Sequence, residues 1–273
     1  MIAIHPMYEN DHPGLKLMTW NVHCSRGTDS NRQLKIAELI LREDADIVLL
    51  NEFNQDFCSV TDSILKKRYP YTEDALSHRK SGDIFYSKLE LLNSGRFYIR
   101  NLRRFQPMLG GETFPDSLRG KSSFAIYATV CMEGDSVRIF GVHYASNHYG
   151  GSTKEKEGDT TSFERYKDAQ EKRCFQAHWI KEALLESKCH VIVMGDMNDF
   201  NCSAPLDTLT SCGLKDAWWE GGNGYGCTFH NGWMRLRIDH ILYSEGLKLQ
   251  SIKVIDSNLS DHNPVVAKFS VNN

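Results

Sequence analysis

Residues 190–200, HVIVMGDMNDF, constrain this chain more than any other stretch. Val191, Ile192, Val193 and Met194 form an unbroken apolar run, largely β-branched, which predicts a strand buried on both faces. Gly195 ends the run, and Asp196, Asn198 and Asp199 follow at once. A carboxylate in mid-core is costly unless paired, so polar groups at the tip of a buried strand are turn chemistry or a site. One Asp/Asn turn alone would decide nothing. Four other strands in this chain end the same way.

In chain order, LKLMTWNV (15–22) predicts a strand ending in Asn21 and His23. Residues 31–43 carry Leu34, Ile36, Ala37, Leu39, Ile40 and Leu41 at helical spacing, with Asp29, Ser30 or Asn31 as cap. Ile47 to Leu50 form a second buried strand, ending in Asn51 and Glu52. A helix through Ile64–Tyr69 stops at Pro70, and 81–88 and 89–99 pattern as antiparallel strands. So do 122–132 and 136–146, joined by the turn EGD, and the second of these ends in His143 and Asn147. A polar loop spans 147–162, and a long helix over 163–187 puts Ala177, Ile180 and Leu184 on one face. A short helix near 204–212 precedes an aromatic, glycine-rich stretch, and strands near 237–244 and 247–255 lead to LSDHNPVVAKFSV. The polar tips run from position 21 to 262, so both ends of the chain feed one site. That argues for a single domain over 1–273, with 1–13 a flexible N-terminal tail.

Composition narrows the function without naming it. A net charge of −3 gives no overall pull toward nucleic acid or anionic membrane, although a local basic patch can act within an acidic whole. The eight cysteines are scattered with no CxxC, which favours buried reduced thiols over disulfides or zinc. No segment approaches the ~18 apolar residues of a membrane span. The N-terminus lacks a cationic start and an apolar core, so as written the chain is expected in the cytoplasm, or secreted or periplasmic if a leader has been removed.

The tips together supply Asn21, Glu52, His143, Asn147, Asp196, Asn198, Asp239, Asp261 and His262. Carboxylates, carboxamides and imidazoles without a nucleophilic Ser or a Cys–His pair point to metal-assisted attack by water. The few carboxylates suit Mg²⁺ or Mn²⁺, hard ions that need only one or two protein oxygens. Zinc would want more His or Cys at ligand spacing.

In the order TWNVH, NEF, VHYASN, GDMND, RIDHI and SDHNP, the chain resembles the endonuclease/exonuclease/phosphatase superfamily with its deoxyribonuclease-I-like fold. The resemblance implies an α/β four-layer sandwich: two mixed, mostly antiparallel β-sheets packed face to face, with helices on both outer sides. It implies a divalent cation on Glu52, with Asn21 beside it and Asp261 supporting that side. It makes Asp196 the group that positions or deprotonates the attacking water and Asn198 the holder of the phosphate. His262, oriented by Asp239, would contact the phosphoryl oxygen, and His143 would donate a hydrogen bond or proton there.

The substrate is less constrained. MNDFN lacks the arginine of the inositol-phosphatase branch, and LSDHNP has one histidine where the sphingomyelinase branch usually has two. The reading that remains is a metal-dependent phosphodiesterase or nuclease acting on DNA or RNA, with a phosphatase for a small-molecule or lipid-headgroup phosphate as the alternative. A monomer is expected. Trp233, flanked by Arg235 and Arg237 near the expected rim, is placed with Asn147 on the substrate, whereas Trp218 and Phe229 are expected to cap the core.

Overall fold

The computed structural model describes residues 14–24, 29–76, 82–97, 125–147 and 162–272. The expected tail over 1–13 and nearly all of the polar loop lie outside the described residues. The elements run β1 (Leu15–Asn21), α1 (Ser30–Glu43), β2 (Ile47–Phe53), α2 (Ser59–Arg68), β3 (Tyr71–Asp74), β4 (Gly82–Ser87), β5 (Asn93–Arg96), β6 (Ala125–Met132) and β7 (Asp135–His143). Then come α3 (Ser162–Leu185), β8 (His190–Asp196), α4 (Ala204–Thr210), β9 (Lys215–Asp216), α5 (Ala217–Gly221), β10 (Phe229–Asn231), β11 (Met234–Leu236), β12 (Asp239–Tyr243), β13 (Leu247–Val254) and β14 (Val265–Val271).

Two six-stranded sheets form the centre, ordered β13-β14-β1-β2-β4-β3 and β5-β6-β7-β8-β12-β9. Strand alternation decides what each face buries. Leu17, Leu49, Phe85 and Phe269 of the first sheet share one core with Ile126, Ile139, Ile192, Met194 and Ile241 of the second. The intervening residues point outward. Met18, Trp20, Val48 and Leu50 meet Ile36, Ala37 and Ile40 of α1 and Leu65 of α2. Phe140, Val142, Val191 and Val193 meet Ala177 and Ile180 of α3 and Leu206 and Leu209 of α4. The architecture is therefore the four-layer α/β sandwich, with helices on both outer sides. Each fully buried Leu, Ile or Phe contributes about 1.5–3 kcal/mol to holding it. No helix among the described residues is long and apolar enough to cross a membrane.

Several local expectations need correction. Of the strand expected over 89–99, the described residues to 97 hold Asn93–Arg96 as strand, and β3 carries no sequence signal because YTED has no apolar alternation. The aromatic stretch holds a capped turn of helix, α5, and a β10–β11 hairpin. All eight cysteines are free, but only Cys24 and Cys58 are buried.

Candidate active site

The two sheets bring their polar tips to one rim through matching registers. Parallel β1 and β2 align Asn21 with Asn51, and parallel β7 and β8 align His143 with Asp196. Antiparallel β12 begins where β8 ends, so Asp239 lies opposite Asp196. Gly195 makes the last step possible. Its φ is +140°, and a Cβ there would lie 2.0 Å from the Val142 carbonyl oxygen, so no other residue fits before Asp196.

Backbone strain marks the same rim. His23, Glu52 and Asn198 have φ of 45°, 53° and 50°, in the left-handed region that side chains rarely occupy. Glu52 also sits in an irregularity of the β2–β4 pairing between Leu50 and Phe53, and its side chain is partly exposed where Asn51 and Phe53 on either side are buried.

Asn21 links the two sheets. Its Nδ2 donates to Glu52 Oε1 at 3.2 Å and to Asp196 Oδ2 at 3.0 Å. Its Oδ1 accepts from the His23 backbone N–H at 3.0 Å, which fixes the carboxamide's orientation. Asn21, expected beside the cation, bridges the carboxylates of Glu52 and Asp196. Asp261, expected to support the cation side, pairs with His23. Both its oxygens lie 3.1 Å from His23 Nδ1, and that partner holds its pKa below the usual range although burial raises it.

Asp239 and His262 are joined. His262 Nδ1 lies 2.8 Å from Asp239 Oδ2, and its Nε2 is 3.7 Å from Asp196 Oδ2. The Trp20 indole N–H donates to the His262 carbonyl at 2.9 Å, and the Phe229 ring meets the imidazole edge-on at 4.9 Å between centroids. Phe229 therefore packs on the site's histidine rather than merely capping the core. His143 Nε2 lies 3.7 Å from Asp196 and 3.8 Å from Glu52, and its Nδ1 lies 3.9 Å from Asp83. Asp83 went unnoticed in the sequence, although GDIFYS shows a lone aspartate opening an apolar strand. It is buried and accepts from Asn51 Nδ2 at 2.8 Å.

The electrostatics follow from this crowding. Burial disfavours the charge of His262, but Asp239 and Asp196 beside it push its pKa up to about 10. Burial likewise works against a charged His143, and Asp196, Asp83 and Glu52 still raise it. Burial is the main force raising the Asp196 and Asp83 carboxyls, the latter to about 6. Since the folded His262 titrates above its ordinary 6.5, its stabilisation is complete below pH 6.5 and lost as pH climbs through about 10. The melting temperature is expected to fall across that window, by about 2–4 °C per kcal/mol lost in a chain near this size. His262→Gln should flatten the fall, and an unchanged slope in that variant would contradict the assignment.

Asn198 is tied into its own turn. Its N–H donates to Asp196 Oδ1 at 2.9 Å and its Nδ2 to the Tyr144 carbonyl at 3.0 Å. Asn147, expected on the substrate, is held within the protein, with Oδ1 accepting from Arg173 at 2.8 Å. Trp233 stands in the β10–β11 turn, 90% exposed. Of its two expected arginine neighbours, Arg237 is buried against Asp216 at 2.9 Å, and Arg235 curls onto the Gly232 and Met234 carbonyls.

A family model, the endonuclease/exonuclease/phosphatase family, matches residues 18–262, which take in every tip from Asn21 to His262. The chain belongs to this family. Family membership makes it a phosphoester hydrolase, since endonuclease, exonuclease and phosphatase activities all hydrolyse phosphoester bonds. Solved structures share the fold at low identity. An endonuclease/exonuclease/phosphatase family protein from Bacteroides thetaiotaomicron matches with TM-score 0.68 and 19% identity, covering 94% of each chain. One from Beutenbergia cavernae gives 0.66 and 17%, covering 96% of this chain and 72% of that one. D. rerio TDP2, complexed with a single-strand DNA product, gives 0.66 and 15%, covering 94% and 99%. No curated protein sequence matches the chain.

Proposed function

We propose that this family member is a divalent-metal-dependent phosphodiesterase acting on nucleic acid through in-line attack by an activated water. One observation carries the reading: Glu52, His143, Asp196 and the Asp239–His262 pair, separated by up to 210 positions in the chain, meet at one rim. The residues present fit a cation. Asp239 Oδ1 is buried without a hydrogen-bond partner, and the Asp196 and Asp239 carboxylates belong to a group whose polar atoms lie within 4.8 Å of one another; its third member, the charged His262, donates rather than ligates. An oxygen-rich set of this kind suits Mg²⁺ or Mn²⁺. Glu52, partly exposed at the end of β2, would hold the ion, and the ion would supply charge neutralisation on the phosphate oxygens. Asp261, committed to His23, would support that side only indirectly.

The remaining roles follow from charge. A histidine titrating near 10 is an imidazolium at neutral pH, so His262 serves as a charged donor to the phosphoryl oxygen rather than as a base. Asp196, with its carboxyl raised, is the better base for the water. His143, its pKa raised by three carboxylates against the effect of burial, would donate on the other side of the phosphate, and Asn198 would present its second amide hydrogen. The nucleic-acid assignment draws support from the DNA product bound by D. rerio TDP2 and from the exposed Trp233.

The test is a Mg²⁺-supplemented panel of plasmid, single-stranded DNA, RNA, an aryl phosphodiester, phosphomonoesters and lipid-headgroup phosphates. Preference for a polynucleotide supports the reading, and preference for a phosphomonoester or headgroup replaces it with the phosphatase alternative. Within the panel, Trp233→Ala should raise KM for the nucleic acid about ten- to a hundredfold, since stacking one base is worth about 1–3 kcal/mol. It should leave the aryl phosphodiester nearly unchanged. Equal losses on both would make Trp233 structural.

A further inference from the structure

Helix α3 contributes no tip to the rim, yet it carries a fully buried arginine. Arg173 Nε donates to Asp199 Oδ2 at 3.0 Å, and Nη1 to the Ala145 carbonyl at 2.9 Å and to Asn147 Oδ1 at 2.8 Å. Its Nη2 donates to Gln170 Oε1 at 2.6 Å. One turn along the helix, Gln176 Oε1 accepts from the Ala145 N–H at 2.8 Å. Both backbone groups of Ala145 are therefore gripped by α3. Ala145 lies two residues beyond His143, and Asp199 directly follows Asn198.

We infer that Arg173 is a positioning residue that fixes the His143 and Asn198 segments relative to each other across the phosphate position. The inference rests on the proposed function only in taking His143 and Asn198 to face the phosphate. In front, Asn198 Nδ2 reaches the Tyr144 carbonyl, and Asn147 Nδ2 lies 3.4 Å from the Asn198 carbonyl. Behind, the guanidinium reaches both segments at once. For stability alone, two apolar side chains would often serve as well as a buried ion pair. A planar fork of five donors adds direction, reaching one carboxylate, one carbonyl and two carboxamides in fixed relation. Asn147 then works as one arm of this brace and not as a substrate ligand. The sequence concealed it because an arginine within EKRCFQAHW reads as an ordinary solvated helix position.

The experiment compares wild type, Arg173→Lys, Arg173→Met/Asp199→Leu and Gln176→Ala on the aryl phosphodiester, with melting temperatures in parallel. The double variant removes the whole ion pair, so no unpaired charge stays buried. A misplacement of about 1 Å far from the chemistry can cost on the order of 10²-fold, so kcat should fall about 10- to 100-fold in the double variant with KM within about twofold. Lysine keeps the Asp199 charge pair but cannot span both segments and leaves acceptors on Ala145, Asn147 or Gln170 without a donor, so kcat should drop in a protein that still folds with a somewhat lower melting temperature. If the double variant does not fold, Gln176→Ala decides: a lower kcat at unchanged melting temperature supports the brace. Wild-type kcat in the folded double variant, in Arg173→Lys, or in Gln176→Ala when it alone decides, overturns it while leaving the proposed function standing. A wild type inert toward the whole panel overturns that reading and this inference with it.

Discussion

Glu52→Gln is expected to lower kcat by about 10³-fold or more without unfolding the protein. The substitution is isosteric and keeps an oxygen for the Asn21 amide, whose contact with Glu52 Oε1 is 3.2 Å. The left-handed backbone at φ 53° is met by either residue at similar cost. What is lost is the anionic oxygen a hard cation requires. A metal's charge stabilisation is worth several kcal/mol, which at about 1.4 kcal/mol per tenfold gives the predicted loss. EDTA should silence the wild type, and Mg²⁺ or Mn²⁺ should restore it. The variant should recover only part of its activity at high metal concentration. Full wild-type activity in EDTA would end the metal-dependent reading altogether.

Much of this site was legible because buried strands leave a sharp signature. IVLLNEF and HVIVMGD run apolar to their ends and then turn acidic, so the tips of β2 and β8 could be read directly. The order of motifs then implied how the strands are arranged, and the two parallel pairs put Asn21, Glu52, His143 and Asp196 at one end. Hydrogen-bond direction was not legible. Nothing in TWNVH says that the Asn21 oxygen turns back onto the His23 N–H, or that His23 claims Asp261 from 238 positions away. Arg237 was misjudged for a related reason. It reads as a rim cation beside Trp233, but it lies between β11 and β12 at the start of a stretch buried from 237 to 243, where Asp216 holds it and is itself lowered to about 2. Long-range polar pairing depends on three-dimensional proximity that periodicity does not encode.

The Asp239–His262 pair predicts the second large effect. His262→Ala should reduce kcat by about 10²–10⁴-fold, the range for a group that donates in the transition state. Asp239→Asn should cost about 10- to 100-fold, as loss of an orienting partner usually does. The milder loss is expected because Asp239 is not the histidine's only support. Trp20 holds its carbonyl, Phe229 its ring, and Ser260 Oγ accepts from its N–H at 3.2 Å. The ring should therefore stay in place while losing the neighbour that most strongly raises its pKa, so the alkaline limb of the kcat profile should move toward neutral pH in Asp239→Asn. Asp196 remains beside Nε2 at 3.7 Å and keeps part of the charge. If the two side chains act as a unit, Asp239→Asn/His262→Ala should be no slower than His262→Ala alone. Strictly multiplicative losses, or an alkaline limb unmoved by Asp239→Asn, would separate the pair despite its 2.8 Å contact and return Asp239 to the cation side of the rim.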